Sequence, residues 1–169
     1  RNWKTPHYEK MLYDNAQMLA LYSILYTESK NDEYKEEAYT LFSFLERDLL
    51  HESGLYKSSI SAVSLDEYGT MNEGLYYTWS ISELRQILGD DYDWVAAYYG
   101  LNFDEMLENN RFIFQRKSSD SLFLKSKEWS ETKLLSKLEK VKKTLLKNRN
   151  LRKAPIIDNK IIFSWNAVA

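Results

Sequence analysis

The sequence predicts a mainly α-helical protein with a short β-ribbon insert. Two observations support this fold class. Apolar side chains recur at three- and four-residue steps in three long segments, and all five glycines fall between positions 54 and 100. With 169 residues, 44% of them hydrophobic, the chain is long enough to bury a core of ordinary domain size. We therefore expect long helices on both sides of a loop-rich middle.

The first two periodic segments predict a helical hairpin. Thr5 and Pro6 are typical of a helix start, because Thr can cap free backbone amides and Pro is tolerated at the first helical position. A polar break at residues 28–32 separates this helix from the next, with Asp32 as the expected cap. The second helix ends before Gly54, which suits a left-handed C-cap. A short polar connection between two helices indicates an antiparallel pair.

The glycine-rich middle predicts short strands and short helices. Ser80 and Glu83 match a capping box, which opens a helix that ends at Leu88, and residues 93–99 predict a further short helix. Aromatic and β-branched residues next to glycine indicate strands. The expected strands are residues 55–56 and 75–79, paired as a ribbon, and residues 111–115.

Charge is unevenly distributed, although the net charge is only −2. Residues 111–153 contain 14 Lys and Arg against 4 Asp and Glu. Most of these cations fall on the polar face of a helix predicted over residues 130–148, so a solvated helix face is the simpler interpretation. Nucleic-acid binding ranks last among the functions considered, and we expect none. After Pro155, residues 161–169 predict the start of another helix.

Several kinds of chemistry have no support in the sequence. Without cysteine there is no disulfide, thiol nucleophile or thiolate metal ligand. There is also no Gly-rich phosphate loop, no HExxH, no Cys/His metal spacing and no Gly-x-Ser-x-Gly. We expect no metal and no cofactor. No apolar run approaches the roughly 20 residues that cross a bilayer, so we expect no membrane insertion. The location stays open, with the cytoplasm preferred over other compartments.

Four polar residues near the first predicted helix could carry chemistry: His7, Glu9, Asp14 and Asn15. On a helix that begins at Pro6, His7 and Asp14 share one face, and a histidine beside a carboxylate is suited to proton transfer. The simpler interpretation is that these residues cap the helix and form ion pairs, because a His/Asp pair without a third partner specifies no reaction.

A second polar group lies near the end of the chain: Asp158, Lys160, Ser164, Trp165 and Asn166. Tryptophan offers a stacking face and asparagine a hydrogen-bonding amide, and a sugar ring uses both. Capping and core packing are again the simpler interpretation.

A third group consists of the acidic residues Asp66, Glu67 and Glu73 in the loop-rich middle. Glycoside hydrolysis uses paired carboxylates, at a separation that is set in space and not along the sequence. Solvated loops often carry acidic residues, so this group is the weakest of the three.

The segment TPHYEKMLYDNAQM, residues 5–18, resembles the motif PHFEKMLYDNAQL of the thioredoxin-domain-containing family typified by spermatogenesis-associated protein 20 and bacterial YyaL. Further family elements appear in order as Gly-Leu-Tyr at residues 54–56, Gly-Leu-Tyr-Tyr-Thr-Trp at residues 74–79, and Asp-Asn-Lys-Ile-Ile-Phe-Ser-Trp-Asn-Ala at residues 158–167. The resemblance extends over nearly the whole chain.

The resemblance implies a thioredoxin-like domain upstream and, for residues 1–169, part of a single (α/α)6 toroid similar to six-hairpin glycosidases. The toroid's relatives act on carbohydrates, so we expect a carbohydrate or other small-molecule ligand. Fold alone does not carry function. The candidate catalytic residues are His7, Glu9 and Asp14, and the candidate substrate-binding residues are Asn15, Trp79, Asp158, Lys160, Trp165 and Asn166.

The chain departs from the family pattern at one acidic element. Family members carry Asp-Ala-Asp-Ser shortly after the Gly-Phe-Tyr segment, but residues 56–63 contain no acid, and Ala167 replaces a glycine. Two functions follow. The first is sugar binding with epimerase- or hydrolase-like activity, and the second is a non-catalytic protein-interaction module, so enzymatic activity stays open. A partial toroid would also expose apolar helix faces, through which we expect self-association.

Overall fold

A computed structural model describes residues 5–102, 106–107, 110–116 and 119–169. The predicted strand at residues 111–115 lies within these ranges, whereas residues 117 and 118 of the basic segment lie outside them. The described chain is mainly helical with two small antiparallel sheets, which confirms the predicted class at that level. It divides into two compact units. Among the described residues, we call those within Leu65–Ala154, with residues 5 and 6, the middle unit, and His7–Ser64 with Pro155–Ala169 the terminal unit.

The terminal unit contains the predicted helical hairpin. Helix α1 spans Leu12–Ser29 and α2 spans Asp32–Phe44, and the two pack against each other. Lys30 ends α1 in the left-handed region, at φ 56°. The α2 cap is Asn31, one residue before the predicted Asp32, and its side chain accepts a hydrogen bond from the backbone of Glu33. A π-helical turn, Leu45–Leu49, continues α2.

A three-stranded sheet joins the two ends of the chain in the terminal unit. Strand β1 is Lys10–Met11, β2 is Ser59–Ile60 and β5 is Ile157–Asp158, in the order β1-β2-β5, all antiparallel. Lys10, Ile60 and Ile157 form one cross-strand row, and Met11, Ser59 and Asp158 form the other. The buried core beside the sheet consists of Leu12, Leu45, Leu49 and Ile60.

The predicted helix start at Pro6 is wrong. Residues 10 and 11 form strand β1, and the helix begins at Leu12, after Met11 in extended conformation. The strand forms because its backbone pairs with β2, and the amide of Leu12 also donates to the Ser58 carbonyl at 2.9 Å. Partners 50 residues away in sequence therefore override the local signal of Thr5 and Pro6.

In its described parts, the middle unit begins with a two-stranded hairpin and continues with four helices. Strand β3 is Val63–Leu65, which starts two residues before the boundary of the unit, and β4 is Met71–Glu73. The helices are α3, Ile81–Leu88; α4, Tyr92–Tyr99; α5, Asp120–Lys127; and α6, Glu131–Arg149. A short 3-10 turn, Gly89–Asp91, links α3 to α4. Helix α7, Phe163–Asn166, is a single turn and belongs to the terminal unit.

The helices of the middle unit enclose an aromatic-rich core. Its buried members are Trp79, Leu84, Leu88, Tyr92, Trp94, Val95, Tyr98, Phe123, Leu134, Leu138 and Val141. The carboxylate of Asp91 accepts hydrogen bonds from Lys140 at 2.8 Å, from the Trp94 indole at 2.8 Å and from Lys137 at 2.9 Å. These donors hold the pKa of Asp91 well below its ordinary value. Two of the lysines that dominate the basic segment thus tie α6 to the rest of the unit.

In the middle unit, local sequence signals predict the helices α3 and α4 well and the strands poorly. The capping box of Ser80 and Glu83 and the stops at Gly89 and Gly100 are confirmed. The predicted ribbon of residues 55–56 and 75–79 is wrong, because the two-stranded ribbon consists of β3 and β4. Residues 111–115 form no regular strand, and Phe112 makes an isolated bridge with Trp79. Helix α5 was not predicted. Among the described helices, none is long and apolar enough to span a bilayer.

Candidate functional site

In the terminal unit one sheet joins the first motif, the segment after Gly-Leu-Tyr and the start of the last motif. Strand β1 lies within the first motif, β2 follows Gly-Leu-Tyr, and β5 ends on Asp158 at the start of the last motif. Ser58 connects them further: its amide and its hydroxyl both donate to the Asp158 carbonyl at 3.2 Å, while its own carbonyl accepts from Leu12. Strands β1 and β5 are about 150 positions apart in the sequence, yet both pair with β2 and so lie two strand spacings from each other.

Trp165 packs against the first motif through an aromatic contact. Its ring meets the Tyr13 ring edge-on, with centroids 4.8 Å apart and an interplanar angle of 69°. Both side chains are half-buried, so each keeps part of its ring surface exposed. Sequence analysis did not select Tyr13, although it stands next to Asp14 in the motif. An aromatic pair of this kind could offer a stacking surface to a sugar ring.

Asp158 and Lys160 interact with each other at the edge of the sheet. The Asp158 carboxylate accepts from the Lys160 amide at 3.1 Å and from the Lys160 ammonium group at 3.1 Å. The pKa of Asp158 is lowered, chiefly by the hydrogen bond from the Lys160 backbone N–H and further by the Lys160 side chain. Asp158 is therefore an anion at neutral pH, well suited to accept hydrogen bonds from hydroxyl groups.

Asn166 uses its side-chain amide within the protein. Its Oδ1 accepts from the Tyr56 amide at 2.7 Å, and its Nδ2 donates to the Tyr56 carbonyl at 3.0 Å and to the Ile162 carbonyl at 3.1 Å. The Tyr56 hydroxyl in turn donates to Glu46 in the π-helical turn. This hydrogen bond, with partial burial and the charge of Glu46, raises the pKa of Tyr56 to about 12. The Trp-Asn motif thus holds the Gly-Leu-Tyr segment in place.

The three candidate catalytic residues lie on exposed parts of the terminal unit. His7 and Glu9 precede strand β1, and Asp14 lies in the first turn of α1. Because α1 begins at Leu12, the geometric premise that His7 and Asp14 share a helical face is wrong. Asn15 is half-buried and donates to the Met11 carbonyl at 2.7 Å. The catalytic and binding roles of these residues stay predictions.

Trp79 lies in the middle unit, whereas the other eight candidates lie in the terminal unit. Its side chain is 4% exposed, and the guanidinium carbon of Arg152 stands 3.8 Å from the ring centroid. A ligand that stacked on this ring would have to displace Arg152. The geometry therefore supports a core role for Trp79, through its cation–π contact and its bridge to Phe112.

Around Trp79 lies an ion cluster that sequence analysis missed. Glu83 bridges two guanidinium groups, at 2.9 Å from Arg111 and 3.0 Å from Arg152. Arg111 also donates to the hydroxyl and carbonyl of Thr78, and Arg152 donates to the carbonyls of residues 75, 76 and 78. For this cluster the sequence offered one signal, the capping box, which identified Glu83. It gave no indication of the distant partners Arg111 and Arg152.

The acidic group of the middle region forms a local turn. Asp66 accepts from the amides of Tyr68 and Thr70 and from the side chain of Asn72, so its carboxylate organises the β3–β4 hairpin. Glu67 and Glu73 are exposed. Within the described parts of the chain, no group of three or more His, Asp or Glu side chains is arranged to hold a metal ion.

Fold and site together define a mainly helical protein in which a small antiparallel sheet joins the first motif to the last. The chain is homologous to human Spermatogenesis-associated protein 20, with 30% identity over 99% of this chain and 24% of that protein. It is 28% identical to Uncharacterized protein B0495.5 of Caenorhabditis elegans, over 99% of this chain and 26% of that protein. The mouse Spermatogenesis-associated protein 20 is 38% identical over 52% of this chain and 11% of its own length.

No protein-family model matches the chain. The chain spans about a quarter of the length of the first two relatives. The names of these relatives specify no reaction and no ligand, so similarity to them favours neither the carbohydrate function nor the interaction function.

Proposed function

We propose that the terminal unit binds a carbohydrate at the surface where the first and last motifs meet. The observation that carries this proposal is the Tyr13–Trp165 aromatic pair, which lies in the same small unit as strand β1 and the Asp158 carboxylate. Aromatic faces bind the apolar face of a sugar ring, and carboxylates accept its hydroxyl protons.

The proposed site uses exposed and half-buried side chains of the terminal unit. In this proposal the exposed carboxylates of Asp14 and Glu9 supply acceptors from the first motif, and Asp158 with Lys160 supplies an acceptor and a donor from the edge strand β5 and the loop after it. His7 is the proposed acid or base should a reaction take place, with epimerase- or hydrolase-like chemistry as the class. In this proposal the chain is part of a six-hairpin toroid in a longer protein that also contains a thioredoxin-like domain.

Sugar titrations monitored by NMR test the proposal. The chain has five tryptophans, so five indole N–H signals are expected, and a Trp165→Phe variant assigns the relevant one. A panel of mono- and disaccharides at millimolar concentration should shift the Trp165 signal. Asp14→Asn and His7→Ala should weaken this binding several-fold, since each removes a polar group from the site.

The chain offers matched controls for both substitutions. Asp32 occupies the first turn of α2 as Asp14 occupies that of α1, and His51 is the second of the two histidines. Asp32→Asn and His51→Ala should leave sugar binding unchanged. No shift of the Trp165 signal with any sugar, or equal weakening by the control variants, contradicts the proposal.

The second candidate function is a non-catalytic protein-interaction module. The specific observation in its favour is the apolar surface of the α1–α2 hairpin, where five large hydrophobic side chains are at least 39% exposed: Met18, Leu21, Ile24, Tyr39 and Phe42. Large apolar side chains that are exposed on both helices of a hairpin are typical of an interaction surface. Self-association through this hairpin is one form of the proposal, and sedimentation velocity over a range of protein concentrations tests it.

A further inference from the structure

The ion cluster around Trp79 contains more positive than negative charge. Glu83 is its carboxylate, and it pairs with Arg111 at 2.9 Å and with Arg152 at 3.0 Å. A third guanidinium group, that of Arg149, is close enough for its charge to act on Arg152. Three guanidinium groups against one carboxylate give these side chains a net charge of +2. All four are half-buried, where charge without a partner is costly.

The excess charge affects Arg152 directly. Burial, in the first place, lowers the pKa of its guanidinium group, and repulsion from Arg111 and Arg149 lowers it further. The charge of Glu83 and its hydrogen bond act in the opposite direction, but they do not restore the ordinary pKa. One carboxylate therefore does not neutralise the cluster, and further negative charge beside it would stabilise the three arginines.

Arg149 is the arginine of the cluster whose side chain has no hydrogen-bond acceptor within the described chain. Its guanidinium carbon lies 5.2 Å from the Tyr76 ring centroid and 5.9 Å from that of Tyr77, so two aromatic rings hold it in place. Its Nε is buried without a hydrogen-bond partner, which is destabilising for a donor. The other two arginines donate to Glu83 and to backbone carbonyls. Arg149 is therefore the group that is positioned to bind an anion.

Two polar groups lie beside Arg149 at the C-terminal end of α6. The Tyr76 hydroxyl donates to Oδ1 of Asn150 at 3.4 Å. Asn150 is exposed, and its Nδ2 makes no hydrogen bond to the described residues, so it can donate to a ligand that arrives from solvent. The negative end of the helix dipole would repel an anion here. Three of the last carbonyls of α6, however, already accept from the amides of residues 150–152.

We propose that Arg149, with Asn150 and the Tyr76 hydroxyl beside it, binds the phosphate group of a phosphate monoester. A monoester carries close to two negative charges above neutral pH, which matches the net charge of the cluster. Guanidinium groups bind phosphate oxygens through paired hydrogen bonds. A carboxylate or a phosphate diester carries a single negative charge and would leave the cluster positive. These residues all lie in the middle unit, so the proposal is independent of both functions proposed for the terminal unit.

Two matched probes test the proposal on the full chain: methyl phosphate, a monoester, and dimethyl phosphate, a diester. Both are titrated at about pH 8 and constant ionic strength, so that the probes differ mainly in their charge. The phosphorus NMR line width of each probe gives its affinity. Methyl phosphate should bind at least about tenfold more tightly than dimethyl phosphate, and acetate should compete no better than the diester. Methyl phosphate should also shift the NMR signal of the Arg149 Nε–H, which its burial protects from exchange with water.

Variants of the chain locate the binding. Arg149→Gln should weaken methyl phosphate about tenfold or more, and Arg149→Lys, which keeps the charge without the planar donors, should weaken it less. Asn150→Ala, at an exposed position that leaves packing intact, should weaken it several-fold. Arg85→Gln is the matched control, because Arg85 is an exposed arginine of the same unit whose guanidinium carbon lies 5.0 Å from the Tyr92 ring centroid. Thermal unfolding of each variant verifies that it is folded.

Each other outcome contradicts the proposal in a different way. Equal affinity for methyl phosphate, dimethyl phosphate and acetate means that the cluster selects no doubly charged anion. Tighter binding of dimethyl phosphate makes a nucleic-acid backbone the better ligand, because its phosphates are diesters. Methyl phosphate binding that Arg149→Gln leaves unchanged, or that Arg85→Gln weakens equally, takes place elsewhere on the chain. If methyl phosphate does not bind at millimolar concentration, Arg149 is a packing residue held by its two tyrosines.

Discussion

Asn166 combines three hydrogen bonds in one side chain. Both hydrogen-bonding groups of the Tyr56 backbone bind its amide, and the same Nδ2 also donates to the carbonyl of Ile162, the residue before α7. This arrangement joins segments that are 110 residues apart in sequence. An amide can do this because it has a donor and an acceptor side by side, as a strand partner has.

We therefore predict that Asn166→Ala destabilises the protein by about 1–3 kcal/mol, since it leaves the half-buried amide and carbonyl of Tyr56 without these partners. Asn159→Ala is the matched control, because Asn159 is exposed on the loop that leads to α7. It should change the free energy of unfolding by less than about 0.5 kcal/mol. Urea denaturation measures both. Equal small effects would refute the structural role of Asn166.

The lowered pKa of Glu83 predicts that the free energy of unfolding depends on pH. Burial alone would raise its pKa, but the hydrogen bond from Ser80 and the charges of Arg111 and Arg152 together lower it. A carboxylate whose folded pKa lies below the unfolded value of about 4.5 stabilises the fold fully above that pH. The stabilisation is lost as pH falls below about 4.5 and through the lower folded pKa.

Urea denaturation of the wild type and of Glu83→Gln from about pH 7 to about pH 3 measures this contribution. We expect the wild type to be more stable at neutral pH and the difference to shrink at acidic pH. Glu73→Gln, an exposed carboxylate of the same unit, should show a small difference at every pH. A difference for Glu83 that is constant down to the lowest pH would be incompatible with the predicted linkage.

Helix α6 is fixed by a cap at its N-terminus and by contacts of Lys137 near its middle. Ser130 caps its start by accepting from the Lys133 amide at 3.2 Å. Lys137 then reaches Asp91 and also stands 5.3 Å from the ring centroids of both Trp94 and Trp129. The lysines of this helix are thus partly structural, which weakens the argument for a nucleic-acid surface.

Ser130→Ala should destabilise the protein by about 1 kcal/mol, because the first-turn amides of a 19-residue helix lose their side-chain acceptor. Ser136→Ala provides a control in the same helix. Ser136 is exposed in the helix interior, where alanine has the better helix propensity, so this variant should be neutral or slightly stabilising. Thermal unfolding followed by circular dichroism compares the two. Similar melting temperatures for both variants would contradict the capping assignment.

At the scale of the whole molecule, the described chain has two separate hydrophobic cores. The terminal unit packs Leu12, Leu45, Leu49 and Ile60, with Trp165 at the periphery. The middle unit encloses its own cluster, with Trp94 and Leu84 among its buried members. Each unit thus carries a tryptophan that reports on its own core.

We predict that each core responds to its own large-to-small substitution. Ile60→Ala should cost about 2–5 kcal/mol and lower the urea midpoint seen at the Trp165 indole signal. Leu84→Ala should cost a similar free energy of unfolding and lower the urea midpoint seen at the Trp94 indole signal. NMR spectra of each variant at increasing urea concentration separate the two signals. If either substitution lowers both midpoints equally, the chain unfolds as one cooperative unit and the prediction is wrong.

The parts of the fold that could be predicted are those that depend on local signals. Ser80 with Glu83, Gly100 and the periodicity of α6 each act within a few residues, so the helices they bound were predicted close to their observed limits. Strand β1 could not be predicted, because its two residues become a strand only through pairing with Ser59–Ile60. The same applies to Arg111 and Arg152, whose shared partner is distant in sequence.

The sequence by itself determined the helical class, most helix limits, and the set of motifs that relate the chain to its homologues. Only the tertiary structure decided that the first motif contains strand β1 as well as the start of α1, and that Asn166 forms hydrogen bonds with the backbone of Tyr56. It likewise decided that Trp79 lies beneath Arg152. The physical reason is range: caps and periodicity act along a few covalent neighbours, whereas strand pairing, ion clusters and aromatic contacts exist only after distant segments have come together.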